Sequence, residues 1–257
     1  KVDLADRDAL LRRVAEVQPH YVVHLAALAF VGHSDQKAFY DVNLFGTLNL
    51  LEAVNSVRDQ LKKVIVASSA NIYGTPAIRV IDESICPAPV NHYSVSKLAM
   101  EHMVKTWFER LPIVIVRPFN YTGPGQDDRF VIPKIVNHYR RAERKIELGN
   151  LNVARDFSDV RDVVTAYVQL LQTDVQSDVF NVCSGQAYSL QDVMDIMREL
   201  AGYEIEISVN PAFVRPNEIP FLQGSYAKLA NRIGYKPSYS LKETLAAMYL
   251  QGESIVL

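Results

Sequence analysis

A serine, a tyrosine and a lysine are spaced in this chain as a proton-transfer device requires. Ser69 closes the β-branched run Val64-Ile65-Val66-Ala67-Ser68-Ser69, and Tyr93-Ser94-Val95-Ser96-Lys97 follows 24 residues after it. Helix positions i and i+4 share a face, so Tyr93 and Lys97 stand one turn apart. An ammonium beside a phenol favours the phenolate and lowers the tyrosine pKa from its reference of about 10. Tyr93 can then exchange a proton nearer neutral pH, while Ser69 hydrogen-bonds the same substrate oxygen. This chemistry suits reduction of a carbonyl, or oxidation of an alcohol, with a nicotinamide cofactor. Tyr-x-x-x-Lys alone also describes ordinary surface pairs, and a serine at a strand end commonly caps a turn. The order strand, hydroxyl, helix is what makes the combination functional.

The elements that must hold these residues alternate along the chain. Residues 8–17 read as a helix and 21–25 as a buried strand. Residues 36–55 read as one long helix, since Phe39, Val42, Leu44, Phe45, Leu48, Leu51 and Val54 recur at near-helical spacing. Residues 64–67 form an uninterrupted apolar strand, as expected of one covered on both faces. A helix over 93–110 and a strand over 113–116, stopped by Arg117-Pro118, complete a βαβα rhythm. That rhythm predicts a parallel sheet with helices on both faces and a ligand site at the carboxyl ends of its strands. Ser69 and Phe119-Asn120 fall at two such ends.

Beyond Pro118 the rhythm loosens. Residues 120–129 read as a polar Gly/Pro loop and 130–144 as a helix with Pro133 in its first turn. Short strands are expected over 146–149, 179–182 and 204–209. Helices are expected over 160–171, 190–200, 226–233 and 241–249, with Ser189 as the N-cap of the second.

The chain has 257 residues, is 49% hydrophobic and carries a net charge of -2. That is ample for a packed core and does not suggest a nucleic-acid binder. The cluster Arg140, Arg141, Arg144, Lys145, interrupted by Glu143, reads as a solvated helix face. No apolar run reaches the ~18 residues of a membrane span, and the opening Lys1-Val2-Asp3-Leu4 is no secretory leader, so the cytoplasm is the expected compartment. Cys86 and Cys183 are isolated and read as small buried or half-buried residues; neither they nor the six histidines show metal-ligand spacing. His24, after a strand, reads as a satisfied core histidine. Asn43, in a helix interior where asparagine is disfavoured, reads as a buried polar brace.

Several stretches in series resemble the extended short-chain dehydrogenase/reductase family, in its nucleotide-sugar branch. They are Asp3-Leu4; Val23 through Ala27; Val42-Asn43-Leu44-Phe45-Gly46-Thr47 through Ala53; Ser68-Ser69-Ala70 with Tyr73-Gly74; Tyr93 to Lys97; Arg117-Pro118-Phe119-Asn120; and Arg155-Asp156-Phe157 with Asp162-Val163-Val164. The resemblance covers essentially the whole chain. It implies a Rossmann-type doubly wound parallel sheet with a smaller interleaved α/β substrate domain. The dinucleotide-binding part would take residues 1–118 and 156–185, and the nucleotide-sugar part 119–155 and 186–257.

Ser69, Tyr93 and Lys97 would be the catalytic residues. Asp3, Leu4, Leu25, Ala26, Ala27, Phe119 and Tyr121 would line NADP or NAD together with Tyr93 and Lys97. Ser69, Asn71, Asn120, Val131, Lys134, Leu148, Asn150, Arg155, Arg215 and Glu218 would line the nucleotide sugar. In this reading Arg155 and Arg215 grip a pyrophosphate as forked donors and Glu218 accepts from ribose hydroxyls. Surface ion pairing is the commoner fate of any single arginine.

The branch's 4,6-dehydratases carry an acid two positions after the active-site hydroxyl. Here Asn71 stands there, and an amide cannot be the acid/base of an elimination. The stretches 130–135, 148–157 and 215–224 resemble the GDP-sugar enzymes more than the UDP-sugar epimerases. The implied activity is NAD(P)H-dependent reduction of the C4 ketone of GDP-4-keto-6-deoxy-mannose to GDP-rhamnose. Another nucleotide-sugar 4-epimerase or 4,6-dehydratase, and a non-catalytic binding protein, are the alternatives. A homodimer through the helices containing Asn43 and Tyr93 is implied. Family members carry a first strand, a glycine-rich turn, a helix and a second strand before the position of Asp3. The expectation is therefore a partial sequence that by itself binds cofactor poorly.

Overall fold

A computed structural model describes residues 1–214 and 218–250. Its helices are α1 (Arg7–Val17), α2 (Gln36–Tyr40), α3 (Gly46–Asn55), α4 (His92–Lys105), α5 (Val131–Arg140), α6 (Val160–Leu171), α7 (Leu190–Ala201), α8 (Ala227–Ile233) and α9 (Leu241–Leu250). Its strands are β1 (Tyr21–His24), β2 (Lys63–Ala67), β3 (Val80–Ile81), β4 (Ile113–Pro118), β5 (Asn120–Thr122), β6 (Lys145–Leu148), β7 (Ala154–Asp159), β8 (Asp178–Val182), β9 (Ala187–Ser189), β10 (Glu206–Val209) and β11 (Phe221–Gly224). The chain divides into two compact units. One comprises Lys1–Pro76, Glu83–Pro118 and Tyr167–Val182; the other comprises Ala77–Asp82, Phe119–Ala166 and Cys183–Leu257.

The first unit is built on an all-parallel sheet in the order β1-β2-β4-β8. β2 and β4 are buried along nearly their whole length, which is why their sequences are continuous β-branched runs. Leu51 and Val54 of α3, Met100 and Val104 of α4, and Val64, Val66, Ile113 and Ile115 of the strands form one core. The strand over 21–25 is not the buried strand its sequence suggests. β1 pairs only with β2 among the described residues, and Tyr21 and Val23 are exposed while His24 is buried. Lys63, at the buried start of β2, donates to the carbonyls of Thr173 and Val175.

The long helix expected over 36–55 is broken. A π-helical turn, Asp41–Phe45, separates α2 from α3 and carries Asn43 at its centre. Such turns insert a residue into the helical repeat and cluster at functional positions. Two other helices are shorter than their patterns suggest. α4 gives way after Lys105 to tight turns around Trp107, and α5 stops at Arg140 ahead of Ala142, whose φ of 54° is left-handed. Arg141 and Arg144 therefore sit on an exposed turn, and Lys145 opens β6.

The second unit holds a parallel pair, β6 with β10, and a sheet in the order β3-β11-β7-β5 with β9 antiparallel on β7. Its core combines Ile132, Ile135 and Tyr139 of α5, Val193, Met194 and Met197 of α7, and Leu241 and Leu245 of α9. Ser189 caps α7 in a reciprocal capping box with Asp192, and Pro133 lies in the first turn of α5. β7 has no apolar run to announce it. Its acids are satisfied internally: Asp156 accepts from the N–H groups of Ser184, Gly185 and Gly224, and Asp159 pairs with Arg161 and Thr244. Of the two cysteines, Cys183 is buried as expected. Cys86 is exposed, in the irregular stretch between β3 and α4 where nothing packs over it closely enough to bury it.

Candidate active site in the first unit

Ser69 is placed by the end of β2. The Ser68 N–H continues the ladder to Val116 (2.8 Å), after which Ser69 turns the chain into a 3-10 turn, Ala70–Tyr73. The Ser69 Oγ accepts from the Asn71 N–H at 3.2 Å, so the turn cap and the candidate catalytic hydroxyl are the same atom. Asn71 is half-buried and presents a carboxamide where an eliminating enzyme needs an acid.

α4 starts at a capping box in which the Asn91 side chain accepts from the Ser94 N–H and the Ser94 Oγ accepts from the Asn91 N–H. This fixes the first turn, where Tyr93 lies 7% exposed with its ring against the edge of Phe39, 6.0 Å between centroids. The Ser96 Oγ donates to the Tyr93 carbonyl (2.8 Å). Lys97, one turn on and 4% exposed, sends its Nζ to the carbonyl of Ala67 (2.8 Å), the last residue of β2. The lysine therefore ties the helix bearing Tyr93 to the strand that delivers Ser69. Burial lowers the Lys97 pKa to about 8, against the opposing pull of Glu101.

Asn43 is the brace expected of it. Its Oδ1 accepts from the Leu28 N–H (2.9 Å), and its Nδ2 donates to the Leu28 carbonyl (3.2 Å) and to the Ser96 Oγ (3.0 Å). One amide thus joins the π turn, the segment after β1 and the helix of Tyr93. Thr47 gives its hydroxyl proton to the Asn43 carbonyl, so the proton between His24 and Thr47 belongs to His24 Nε2 (2.8 Å). Burial, and then the charge of Lys97, lowers the His24 pKa to about 4. His24 is a neutral core histidine, as its sequence context suggests.

The carboxyl end of β1 leads into Leu25 and Ala26, both exposed, and half-buried Ala27. Asp3 is exposed with its Oδ1 accepting from the Ala5 N–H, and the Leu4 carbonyl accepts from the Asn49 side chain (2.8 Å). Gly46 makes this possible, because a Cβ there would come within 2.9 Å of the Leu4 Cβ.

A second buried cluster of this unit escaped the reading of the sequence. Arg117 of β4 donates from Nε to Glu101 Oε1 (2.9 Å), from Nη2 to Glu101 Oε2 (2.7 Å) and from Nη1 to the Tyr73 hydroxyl (2.8 Å). The Tyr73 hydroxyl donates onward to Asn181 (2.8 Å). Two signals were present: Glu101 lies one turn beyond Lys97 on the same helix, and Arg117 closes an otherwise apolar strand.

The other expected site residues belong to the second unit. Phe119 is buried and Gly224 faces it, since a Cβ at Gly224 would lie 2.7 Å from its ring. Asn120 and Tyr121 are exposed on β5. Lys134 donates to the Glu147 carbonyl (2.7 Å) and lies over the Phe213 ring at 4.2 Å. The Leu148 side chain is core, with Val131 packed on the same cluster. Asn150 is half-buried. Arg155 and Glu218 are brought together as an ion pair, each part-buried. Arg215 lies outside the described residues.

The family model described as GDP-mannose 4,6 dehydratase matches residues 1–248. A GDP-6-deoxy-D-talose 4-dehydrogenase from Aggregatibacter actinomycetemcomitans is 36% identical over 96% of this chain and 85% of its own length. A GDP-6-deoxy-D-mannose reductase from Pseudomonas aeruginosa is 36% identical over 100% of this chain and 87% of its own. The solved structure of RMD from Pseudomonas aeruginosa complexed with NADPH is 34% identical, covering 97% of this chain and 86% of that one with a TM-score of 0.88.

Proposed function

Because the chain belongs to the GDP-mannose 4,6-dehydratase family of extended short-chain dehydrogenase/reductases, we propose that it reduces the C4 ketone of GDP-4-keto-6-deoxy-mannose to GDP-rhamnose with NADPH or NADH. The observation that carries this reading is the lysine that bridges α4 to the end of β2, setting Tyr93 and Ser69 on one rigid frame with an amide, Asn71, in place of an eliminating acid.

The donor set fits a dinucleotide. Leu25 offers an exposed apolar side chain and Ala26 and Ala27 carry little side chain to block approach, Asp3 offers a carboxylate, and the Lys97 ammonium can bind ribose hydroxyls. A nicotinamide held by these residues would supply the hydride for C4. Tyr93 gives its phenolic proton to the oxygen at C4, and Ser69 hydrogen-bonds that oxygen as charge builds on it. The Lys97 ammonium stabilises the phenolate left on Tyr93. In the second unit, Arg155 would exchange Glu218 for the pyrophosphate, a forked donor keeping an anionic partner throughout. The reading includes a cytoplasmic homodimer through α3 and α4, in keeping with the exposed Phe45 beside α3 and Val95 on α4. Among the described residues no helix is long and apolar enough to cross a membrane.

The test is loss of reduced-cofactor absorbance with GDP-4-keto-6-deoxy-mannose, followed by assignment of the C4 configuration of the product. Tyr93→Phe should cost about 10²–10⁴-fold in kcat, the range for loss of a positioned proton donor, while leaving nucleotide-sugar binding intact. GDP-sugar binding without cofactor oxidation would overturn the reading in favour of an epimerase or dehydratase. Absence of binding as well would favour a non-catalytic role.

A further inference from the structure

Lys97 is a buried cation, and what faces it decides what it can do. Tyr93 stands one turn before it on α4 and Glu101 one turn after; the Ala67 carbonyl meets it from β2, and its charge reaches the neutral His24 of β1. A carboxylate one turn along a helix is the natural ion-pair partner of a lysine. Were Glu101 to close onto it, the ammonium would be held by the pair instead of serving the phenol. Glu101, fully buried, is instead held by both oxygens: Arg117, 4% exposed, forks onto Oε1 and Oε2. The guanidinium is fixed in turn by the Tyr73 hydroxyl at 2.8 Å and by the Tyr73 ring, 5.0 Å from its centre. Tyr73 belongs to the 3-10 turn that Ser69 caps. The titratable groups facing Glu101 are thus Lys97, Arg117 and Tyr73. Burial pushes the Tyr73 pKa up to about 12, so it enters as a neutral hydroxyl.

We propose that Arg117 is a positioning residue for the proton-transfer site: by occupying both oxygens of Glu101, it keeps that carboxylate within range of Lys97 but unavailable as its contact partner. Glu101 then supports the lysine's charge from one turn away, and the ammonium remains directed at the Ala67 carbonyl, one turn from Tyr93. The proposal rests on the reading of Tyr93 and Lys97 as proton donor and activator, and it deepens that reading. A pair that only pinned α4 to β4 would act on Lys97 through its charges alone, so Arg117→Lys, which keeps the charge but cannot fork onto both oxygens, would then leave the Lys97 midpoint in place; the positioning role requires that it rise.

The two halves of the pair must therefore act in opposite directions on Lys97. Removing Glu101 takes away the charge that supports the ammonium; removing Arg117 frees Glu101 to contact it. The measurement is the Nζ titration midpoint of Lys97 by ¹⁵N NMR of lysine-labelled protein, the resonance being assigned by its loss in Lys97→Met. Glu101→Gln should lower the midpoint and Arg117→Gln should raise it, each by about one pH unit, the order expected for an opposite charge gained or lost nearby. The double variant leaves neither member of the Glu101–Arg117 pair as an orphaned charge, so it keeps the test alive if a single variant fails to fold; its midpoint should fall below the parent's. Unmoved midpoints, midpoints moving the same way in both charge-removing variants, or a parent-like midpoint in Arg117→Lys would overturn the proposal. Because the titration needs no turnover, it is separable from the proposed activity. Midpoints that move as expected in a protein that does not oxidise NAD(P)H would refute the activity and leave the positioning role standing. Where turnover is present, the alkaline limb of kcat/KM should move with the midpoints.

Discussion

Replacing Asn43 by alanine tests whether one side chain holds three segments of the first unit together. The amide makes three hydrogen bonds, two to the main chain of Leu28 and one to the Ser96 Oγ, at 1% exposure. The Ser96 Oγ keeps its bond to the Tyr93 carbonyl, so the truncation orphans chiefly the Leu28 N–H and carbonyl. An unsatisfied buried polar group costs roughly 1–3 kcal/mol. With both Leu28 groups part-buried, the lower half of that range applies to each, and the expected loss is about 3 kcal/mol. This is a large share of the roughly 5–15 kcal/mol by which domains are stable. Trp107 is the single tryptophan and packs on the core of this unit, so its fluorescence in urea reports the unfolding of the unit that Asn43 braces. At typical slopes of about 1–3 kcal/mol per molar urea, the midpoint should fall by roughly 1–3 M. A loss under about 1 kcal/mol would show that the amide is not bearing the segment after β1, and the bracing argument would fail. Asn43→Asp should not rescue stability, because it retains the acceptor for the Leu28 N–H but loses both donated bonds.

Four further outcomes follow from particular residues. His24 is neutral in the fold with its pKa lowered to about 4 from 6.5; the unfolded chain therefore binds the extra proton first, and about 3 kcal/mol of stability should drain away as pH falls from 6.5 to 4. Equilibrium unfolding across that interval should show a slope that disappears in His24→Leu. Lys97, with its pKa lowered to about 8, should lose its charge as pH rises through that value, so kcat/KM should fall on the alkaline side near pH 8; a profile flat to pH 9.5 would contradict the role given to it. Gly74→Ala should cost about 2–4 kcal/mol, measured as a fall in Tm, since its φ is 63° and a Cβ would come within 2.0 Å of the Ala88 carbonyl oxygen. Gly125→Ala, at φ 83° with nothing within 4 Å, should cost about 1 kcal/mol.

What could be read from the sequence was what repeats locally. β2 and β4 are apolar over consecutive residues, and Tyr93 and Lys97 are separated by one turn, so the strands and the helix that carry the proposed site were legible. The π turn was not, because Asn43 finds its partners at Leu28 and Ser96, 15 and 53 residues away, while the apolar repeat around it still looks helical. β7 was hidden for a related reason: Arg155 and Asp156 meet a carboxylate and donors far along the chain, and Asp159 meets Thr244 of α9 as well as nearby Arg161. The pairing of Glu101 with Arg117 likewise depends on two elements meeting in the sheet. Arg155 and Glu218 both read as nucleotide-sugar contacts, and nothing in their spacing says that they engage each other.

The π turn also makes the segment 36–55 sensitive to its own length. It shifts the phase between α2, which buries Phe39, and α3, which buries Leu51 and Val54. Deleting one residue between Asp41 and Phe45 would restore an uninterrupted 3.6-residue repeat and rotate α3 by about 100° relative to α2. Leu51 and Val54 would turn away from β2 and β4 while Phe39 kept its place, so the segment has no straight-helix equivalent that satisfies both ends. A point substitution in this stretch changes one contact; a single-residue deletion changes the facing of a whole helix.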